Sequence, residues 1–231
     1  MRSPIAPLRN AYERFQQGGF AGLARGLRNQ VVRCSESVGM RRDLSLSHST
    51  PQATIPITVR RGGPEDMESL ARAAGTPSRA EQRELRLRAE HAAANCGRLY
   101  VAVEGATERV CFIQWVMDHR DNGAIRNLFR GRFPLLLPEE VLFENAYTPS
   151  HFRGLGVMSA AMSTIAEHEG VLGFQSGITF VACHNTASIK GCTKAGFFPY
   201  VLRRDVAMCG GLMRRRHFLP LPHNSAEQIA S

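Results

Sequence analysis

Glu140-Val141-Leu142-Phe143-Glu144-Asn145-Ala146-Tyr147-Thr148, and after it Phe152-Arg153-Gly154-Leu155-Gly156-Val157, are the stretches whose reading decides the fold. The first has the apolar composition of a central strand. Past the glycines, Val157, Ala161, Ile165 and His168 recur at helical spacing as far as Glu169. Strand, glycine turn and helix therefore succeed one another. A helix N-terminus leaves backbone N–H groups unpaired and carries partial positive charge, so a glycine turn entering it lets a pyrophosphate approach bare backbone. Two glycines beside an arginine also make an ordinary tight turn, and only the rest of the chain can decide between the two readings.

Downstream, Ile178–Cys183 reads as a compact strand, Thr186–Ala195 as a short helix, and Phe197–Val206 with Met208–Phe218 as a terminal hairpin turning at Gly210-Gly211. Upstream, Ile55–Arg60 has strand composition, and Gly62-Gly63-Pro64-Glu65-Asp66 turns into a helix carrying Met67, Leu70 and Ala74. A second helix is expected from Arg79 to Ala94. Leu99–Glu104 and Arg109–Met117 then form strands joined across Gly105. Leu135–Leu137, bracketed by Pro134 and Pro138, reads either as a buried loop or as the lip of a substrate pocket. The order predicts a mixed α/β (α+β) fold with a largely antiparallel sheet flanked by helices, not a pure alternation of strand and helix.

With these elements in place, Phe152–Val157 resembles the pyrophosphate loop of the GNAT superfamily of acyl-CoA N-acyltransferases, whose pattern is R/Q-x-x-G-x-G/A. Arg153 and Gly156 match it, while Met158 stands where that family prefers Gly or Ala. A second segment, Asn185-Thr186-Ala187-Ser188-Ile189-Lys190-Gly191-Cys192-Thr193-Lys194-Ala195-Gly196-Phe197, is similar to the family's later motif N-x-x-A/S-I-x-x-Y-x-K-x-G-F. Asn185, Ser188, Ile189, Lys194, Gly196 and Phe197 fall at matching positions. Physically, Asn185 can cap the short helix and Gly196 can end it. The likeness covers about residues 55–216. It implies acetyl-CoA or another acyl-CoA as co-substrate, held by Arg153, Gly154, Leu155, Gly156, Val157, Met158 and Asn185. It also implies a splay between the fourth and fifth strands of the family fold, where the pantetheine arm pairs with backbone near Ala146, Tyr147 and Thr148. A softer resemblance, over Trp115–Thr148, is to bacterial members linked to surface polysaccharide synthesis.

Acyl transfer to an amine needs a base for the amine proton, and an acid can protonate the leaving thiolate. Glu140 lies 13 residues before Arg153, a spacing that resembles that of the base glutamate in histone-type members. Glu144 competes with it. On a strand the two share a face with Leu142, so both are candidates for one cleft, or for solvated edge carboxylates. The family's acid is often a tyrosine seven residues after the motif asparagine; here that position is Cys192, readable as an acid or as a small buried thiol. Tyr147 is a substitute candidate.

The chain of 231 residues carries 29 Lys and Arg against 20 Asp and Glu, a net charge of +9 that favours polyanionic partners. Six cysteines without a C-x-x-C pair read as reduced thiols of a cytoplasmic protein, and no metal site is expected from them or from the eight dispersed histidines. Residues 1–50 read as a basic amphipathic helical N-terminal extension and linker. Leu8, Tyr12, Phe15, Gly19 or Phe20, Leu23, Leu27 and Val31 lie on one face, Arg9, Arg14, Arg25, Arg28 and Arg33 on the others, and two short helices break at Gly18-Gly19. Residues 55–216 then form the acyltransferase-like domain and 217–231 a C-terminal tail. Residues 5–33 offer a peripheral membrane contact, at the inner face of the membrane, or pack on the domain itself. Basic residues interleaved with aromatics are missing, so nucleic acid is not expected. The partner expected is a small-molecule amine acceptor, an amino sugar among the candidates, met by loops over 76–95 and 118–138; a homodimer is admitted. A protein N-acetyltransferase, a long-chain N-acyltransferase and a degenerate acyl-CoA-binding module docked to a membrane or partner are the alternatives.

Overall fold

In the computed structural model, which describes residues 32–73, 78–208 and 213–221, every segment from Ile55 onward with strand or helix patterning adopts that structure, with ends shifted by a few residues. The strands are β1 (Val32–Asp43), β2 (Ile57–Arg61), β3 (Arg98–Glu104), β4 (Val110–Asp118), β5 (Glu140–Tyr147), β6 (Ser176–Ala182), β7 (Phe198–Met208) and β8 (Met213–Pro220). The helices are α1 (Pro64–Ala73), α2 (Arg79–Ala93), α3 (Asn122–Leu128), α4 (Val157–Val171) and α5 (Thr186–Lys194), with 3-10 turns at His119–Asp121 and Ser150–Phe152. The described residues form two compact units: 38–201 with 220 and 221, and a smaller one of 32–37 with 202–208 and 213–219.

Within the larger unit the strand order is β2-β3-β4-β5-β6-β1-β7. β2, β3, β4 and β5 pair antiparallel, and β5 pairs with β6 in parallel. The N-terminal region thus differs from the expected helical extension where it is described: residues 32–43 are a strand. Its alternation is masked because Arg42 occupies an inward position, buried between Met40 and Leu44, where an apolar residue would announce the pattern. Arg42 is held there by Ser163 Oγ (3.0 Å) and the Ala195 carbonyl (2.8 Å). The amphipathic stripe at residues 5–31 lies outside the described residues, as does the expected turn at Gly210-Gly211. The C-terminal segment also differs in part, since residues 217–220 close β8. In the smaller unit, arginines find carboxylates on neighbouring backbone: Arg204 Nε meets Glu36 at 2.7 Å, and Arg216 Nε meets Asp205 at 2.5 Å.

β4 is buried at all nine positions because both faces of the sheet are covered. On one face α4 sets Val157, Ala161, Met162 and Ile165 against Phe112, Val116 and Phe143. On the other, Leu70 of α1 and Ile125 of α3 join Ile113, Trp115 and Leu142. Phe143 meets Phe197 edge to face at 5.2 Å, and truncating such a ring to alanine costs about 3–5 kcal/mol. The core therefore fixes β5 firmly, and β5 carries the site.

Candidate active site

β5 and β6 are paired at Glu140↔Ser176, Val141↔Gly177 and Leu142↔Ile178, and no pair beyond these follows. Past Leu142 the strands splay. On its other side β5 keeps pairing with β4, but between Trp115↔Glu144 and Ile113↔Tyr147 it carries one residue more than its partner. That extra residue is a β-bulge, and Asn145 sits in it at φ +55°. Asparagine tolerates this left-handed conformation better than other side chains. Its amide is also fastened: Asn145 Nδ2 donates to His91 Nδ1 at 2.7 Å, while His91 Nε2 meets the Cys96 carbonyl at 2.9 Å. The carbonyl can only accept, so His91 carries its proton on Nε2 and is neutral. Burial lowers its pKa to about 4, and its ring stacks on Trp115 at 4.5 Å. Arg88 of α2 secures the next residue, donating from Nη2 to the Ala146 carbonyl at 2.8 Å and from Nη1 to Glu84 at 2.6 Å.

The glycine turn adopts the conformation the sequence suggests. Gly154 and Gly156 have φ of +80° and +74°, and Gly156 is the N-cap of α4 with no side chain capping the helix. The amides of its first turn are therefore left to a ligand or solvent. A Cβ at Gly156 would sit tightly, 3.2 Å from the Gln52 carbonyl oxygen, on a backbone already at positive φ, so glycine is favoured there, whereas Gly154 faces open space. Arg153 donates from Nε to the Thr148 carbonyl at 3.0 Å, and its guanidinium lies 5.9 Å from the Tyr147 ring. Asn185 caps α5 through Ser188 N–H at 3.1 Å, and Gly196 follows the helix at φ +83°.

Two cavities open along the splay. The larger, of about 570 Å³, is lined by Tyr147, Thr148, Arg153, Gly154, Gly156 and Val157 with Lys190 and Lys194. The smaller, of about 190 Å³, lies between Phe143–Ala146 of β5 and Thr179–Ala182 of β6, with Gln114, Met162 and Cys192. Both are bordered by Arg88, Ala146, Met158, Asn185 and Ser188. They form one groove, cationic at the glycine turn and narrow at the bulge. The charge and open amides at one end suit a polyphosphate, and the splay beyond suits a thin chain with hydrogen-bonding groups.

Of the residues singled out from sequence, Ala146, Tyr147, Thr148, Arg153, Gly154, Gly156, Val157, Met158, Asn185, Glu144 and Cys192 all line this groove. Leu155 adjoins it, but its carbonyl is taken up by Thr54 N–H at 2.9 Å. The two glutamates are not brought together. Glu140, at the paired end of β5, lines neither cavity; its carboxylate receives Arg41 Nη2 at 2.8 Å and Leu137 N–H at 3.2 Å. Glu144 stands in the splay, where Oε1 accepts the Phe180 N–H of β6 at 3.3 Å.

Cys192 is buried against Met162, Sγ to Sδ 3.8 Å. Burial, with Glu144 adding to it, pushes its thiol up to about 12. Such a thiol would have to give its proton to a thiolate several pKa units less basic, so it is a poor acid. Tyr147 is buried, packed under the Arg88 guanidinium at 4.9 Å, and its pKa is raised, chiefly by burial. Met158, the departure from the glycine-loop pattern, is accommodated by Gly191, where a Cβ would meet its Sδ at 3.3 Å.

Arg88, His91 and Gln114 are among the groove-shaping residues not read from sequence. Arg88 and Glu84 look like a surface pair at helical spacing. His91 looks like one more helix polar residue, and Gln114 like an interruption in an apolar strand. Asn145 inside a strand pattern is the one local signal for the bulge.

Known structures share this fold. The glucosamine N-acetyltransferase region of a fungal multi-domain GH3 β-N-acetylglucosaminidase superposes with a TM-score of 0.56 at 14% identity, covering 78% of this chain and 22% of that one. A GNAT-family acetyltransferase from Colwellia psychrerythraea gives 0.50 at 14% identity, covering 81% and 61%. A functionally unknown conserved protein from Staphylococcus epidermidis ATCC 12228 gives 0.50 at 7%, covering 80% and 65%. The chain spans less than two thirds of each of these structures. No family model and no curated protein sequence matches it. The fold is that of the GCN5-related N-acetyltransferases, and at these identities the likeness defines the fold alone.

Proposed function

We propose that the protein is an acyl-CoA-dependent N-acyltransferase that moves an acetyl or other short acyl group to a primary amine. The observation that carries the reading is the continuous groove from the glycine turn, with Arg153, Lys190 and Lys194, into the β5–β6 splay beside Glu144. In this reading the α4 first-turn amides and the three cations hold the pyrophosphate. The bulge, fixed by His91 and Arg88, presents β5 backbone to the pantetheine arm. The donor supplies an activated acyl carbon and a good leaving group. Glu144 takes the proton of the attacking amine, directly or through water. With no strong acid in the groove, departure of the thiolate rests on its own stability.

An amino sugar is the acceptor class we favour, supported by the named activity of the fungal glucosamine N-acetyltransferase region. The poor acidity of Cys192 favours a second reading, a non-catalytic acyl-CoA-binding module. Incubation with acetyl-CoA and a panel of amines, glucosamine included, while following free thiol, separates the two. Amine-dependent thiol release is expected; donor binding without release on any amine would leave the binding module.

A further inference from the structure

Gln114 is the one polar residue among the first eight of β4, Val110–Met117. It is 1% exposed, and its side-chain Oε1 is buried without a hydrogen-bond partner among the described residues. It lies between Ile113 and Trp115, opposite the bulged part of β5, and it borders the smaller cavity. Phe112 and Val116, on the same face of the strand, are fully buried. In such surroundings an amide left unpaired is worse for folding than an apolar side chain of the same size. A group placed there against stability, and facing a cavity, is explained by a ligand that completes it.

The chemistry of the unpaired atom narrows the ligand. Oε1 accepts hydrogen bonds, so its partner must donate one. A thioester offers a carbonyl oxygen and a sulfur, which do not donate. The pantetheine arm offers secondary amide N–H groups, spaced along a chain that the splay can admit. We infer that Gln114 reads the pantetheine arm of the donor, its Oε1 accepting one of the arm's amide N–H groups beneath the bulge. This rests on the acyl-CoA reading proposed above and adds to it a side-chain contact from the neighbouring strand.

The test is the variant Gln114→Met, which keeps the volume and removes both polar atoms, with Gln114→Leu as a second variant in case one fails to fold. Calorimetry measures binding of CoA and, separately, of its adenosine bisphosphate fragment, which lacks the arm; thermal unfolding is followed without ligand. The expected result is a melting temperature equal to or above that of the wild type, CoA binding weakened about tenfold, and unchanged binding of the fragment. CoA binding equal to wild type in a folded variant overturns the inference and leaves the donor reading intact. Equal loss for CoA and fragment also overturns it, since that marks a general disturbance of the groove. Failure of the wild-type protein to bind CoA at all overturns the donor reading, and this inference with it.

Discussion

The two halves of β5 differ in what surrounds them. From Glu140 to Leu142 the strand is paired with β6, and its carboxylate is neutralised by Arg41. From Phe143 to Tyr147 it leaves β6, bulges at Asn145 and lines a groove. Each half contains one glutamate, and Asn145 in the second is the local mark of the difference. What changes is which backbone groups have partners. A fully paired strand offers a ligand nothing, whereas a strand that parts from its neighbour exposes amides, carbonyls and side chains on a rigid support.

The sharpest way to break this comparison is to exchange each glutamate. Glu144→Gln is expected to lower kcat about a thousandfold while leaving CoA binding within a few fold, as loss of a general base does. Glu140→Gln is expected to leave kcat within a few fold. It should lower stability only slightly, by up to about 1 kcal/mol, because Arg41 is half exposed and the pair is partly screened. Steady-state rates on the best amine of the panel decide it. Equal losses at both positions would mean that the halves do not divide the work as proposed.

The splayed half also depends on a neutral His91, and that gives it a pH dependence. The folded state lowers the His91 pKa from 6.5 to about 4, so between these values the unfolded chain binds the proton more readily. The contribution of the neutral ring is therefore fully present above pH 6.5 and lost as pH falls through about 4, by at most about 3 kcal/mol. Urea unfolding of wild type and His91→Gln at several pH values isolates it, since glutamine does not titrate. The difference between the two proteins should shrink as pH falls, and a constant difference would remove His91 from this role.

At the far end of the splay, Arg153→Ala should weaken CoA binding about tenfold through a lost charge-assisted contact, with an effect that diminishes in high salt. Calorimetry at two ionic strengths measures it. Unchanged affinity would take Arg153 out of the phosphate end of the groove and leave Lys190 and Lys194 there.

How much of this was legible follows from which interactions are local. The glycine turn, the Asn185 cap and the helix end at Gly196 are fixed by residues within a few positions, and they read correctly. The separation of Glu140 from Glu144 is not local. Strand alternation puts both on one face, and only the end of pairing with β6, thirty-odd residues away in sequence, sends them into different surroundings. Likewise β1 was hidden because a buried Arg42 is made tolerable by Ser163 and Ala195, far along the chain. Arg88, His91 and Gln114 were missed for the same reason: their roles are defined by the bulge that they meet, not by their neighbours in sequence.

The smallest expected effect concerns Cys192, which faces the splay from α5. It stands where the resemblance leads one to expect a tyrosine, while Met158 stands where a small residue is expected; both border the narrow cavity. Gly191, beside Cys192, leaves room for Met158. A thiol pushed up to about 12 by burial stays protonated across the working range, so it contributes volume and no ionisation there. Cys192→Ala should therefore change kcat by less than about threefold, with no movement of the alkaline limb of the pH–rate profile. It should cost about 1 kcal/mol of stability from lost packing on Met162. A displaced alkaline limb would instead make the thiol the proton donor to the departing thiolate. The splayed half of β5 would then have an acid facing its base across the groove.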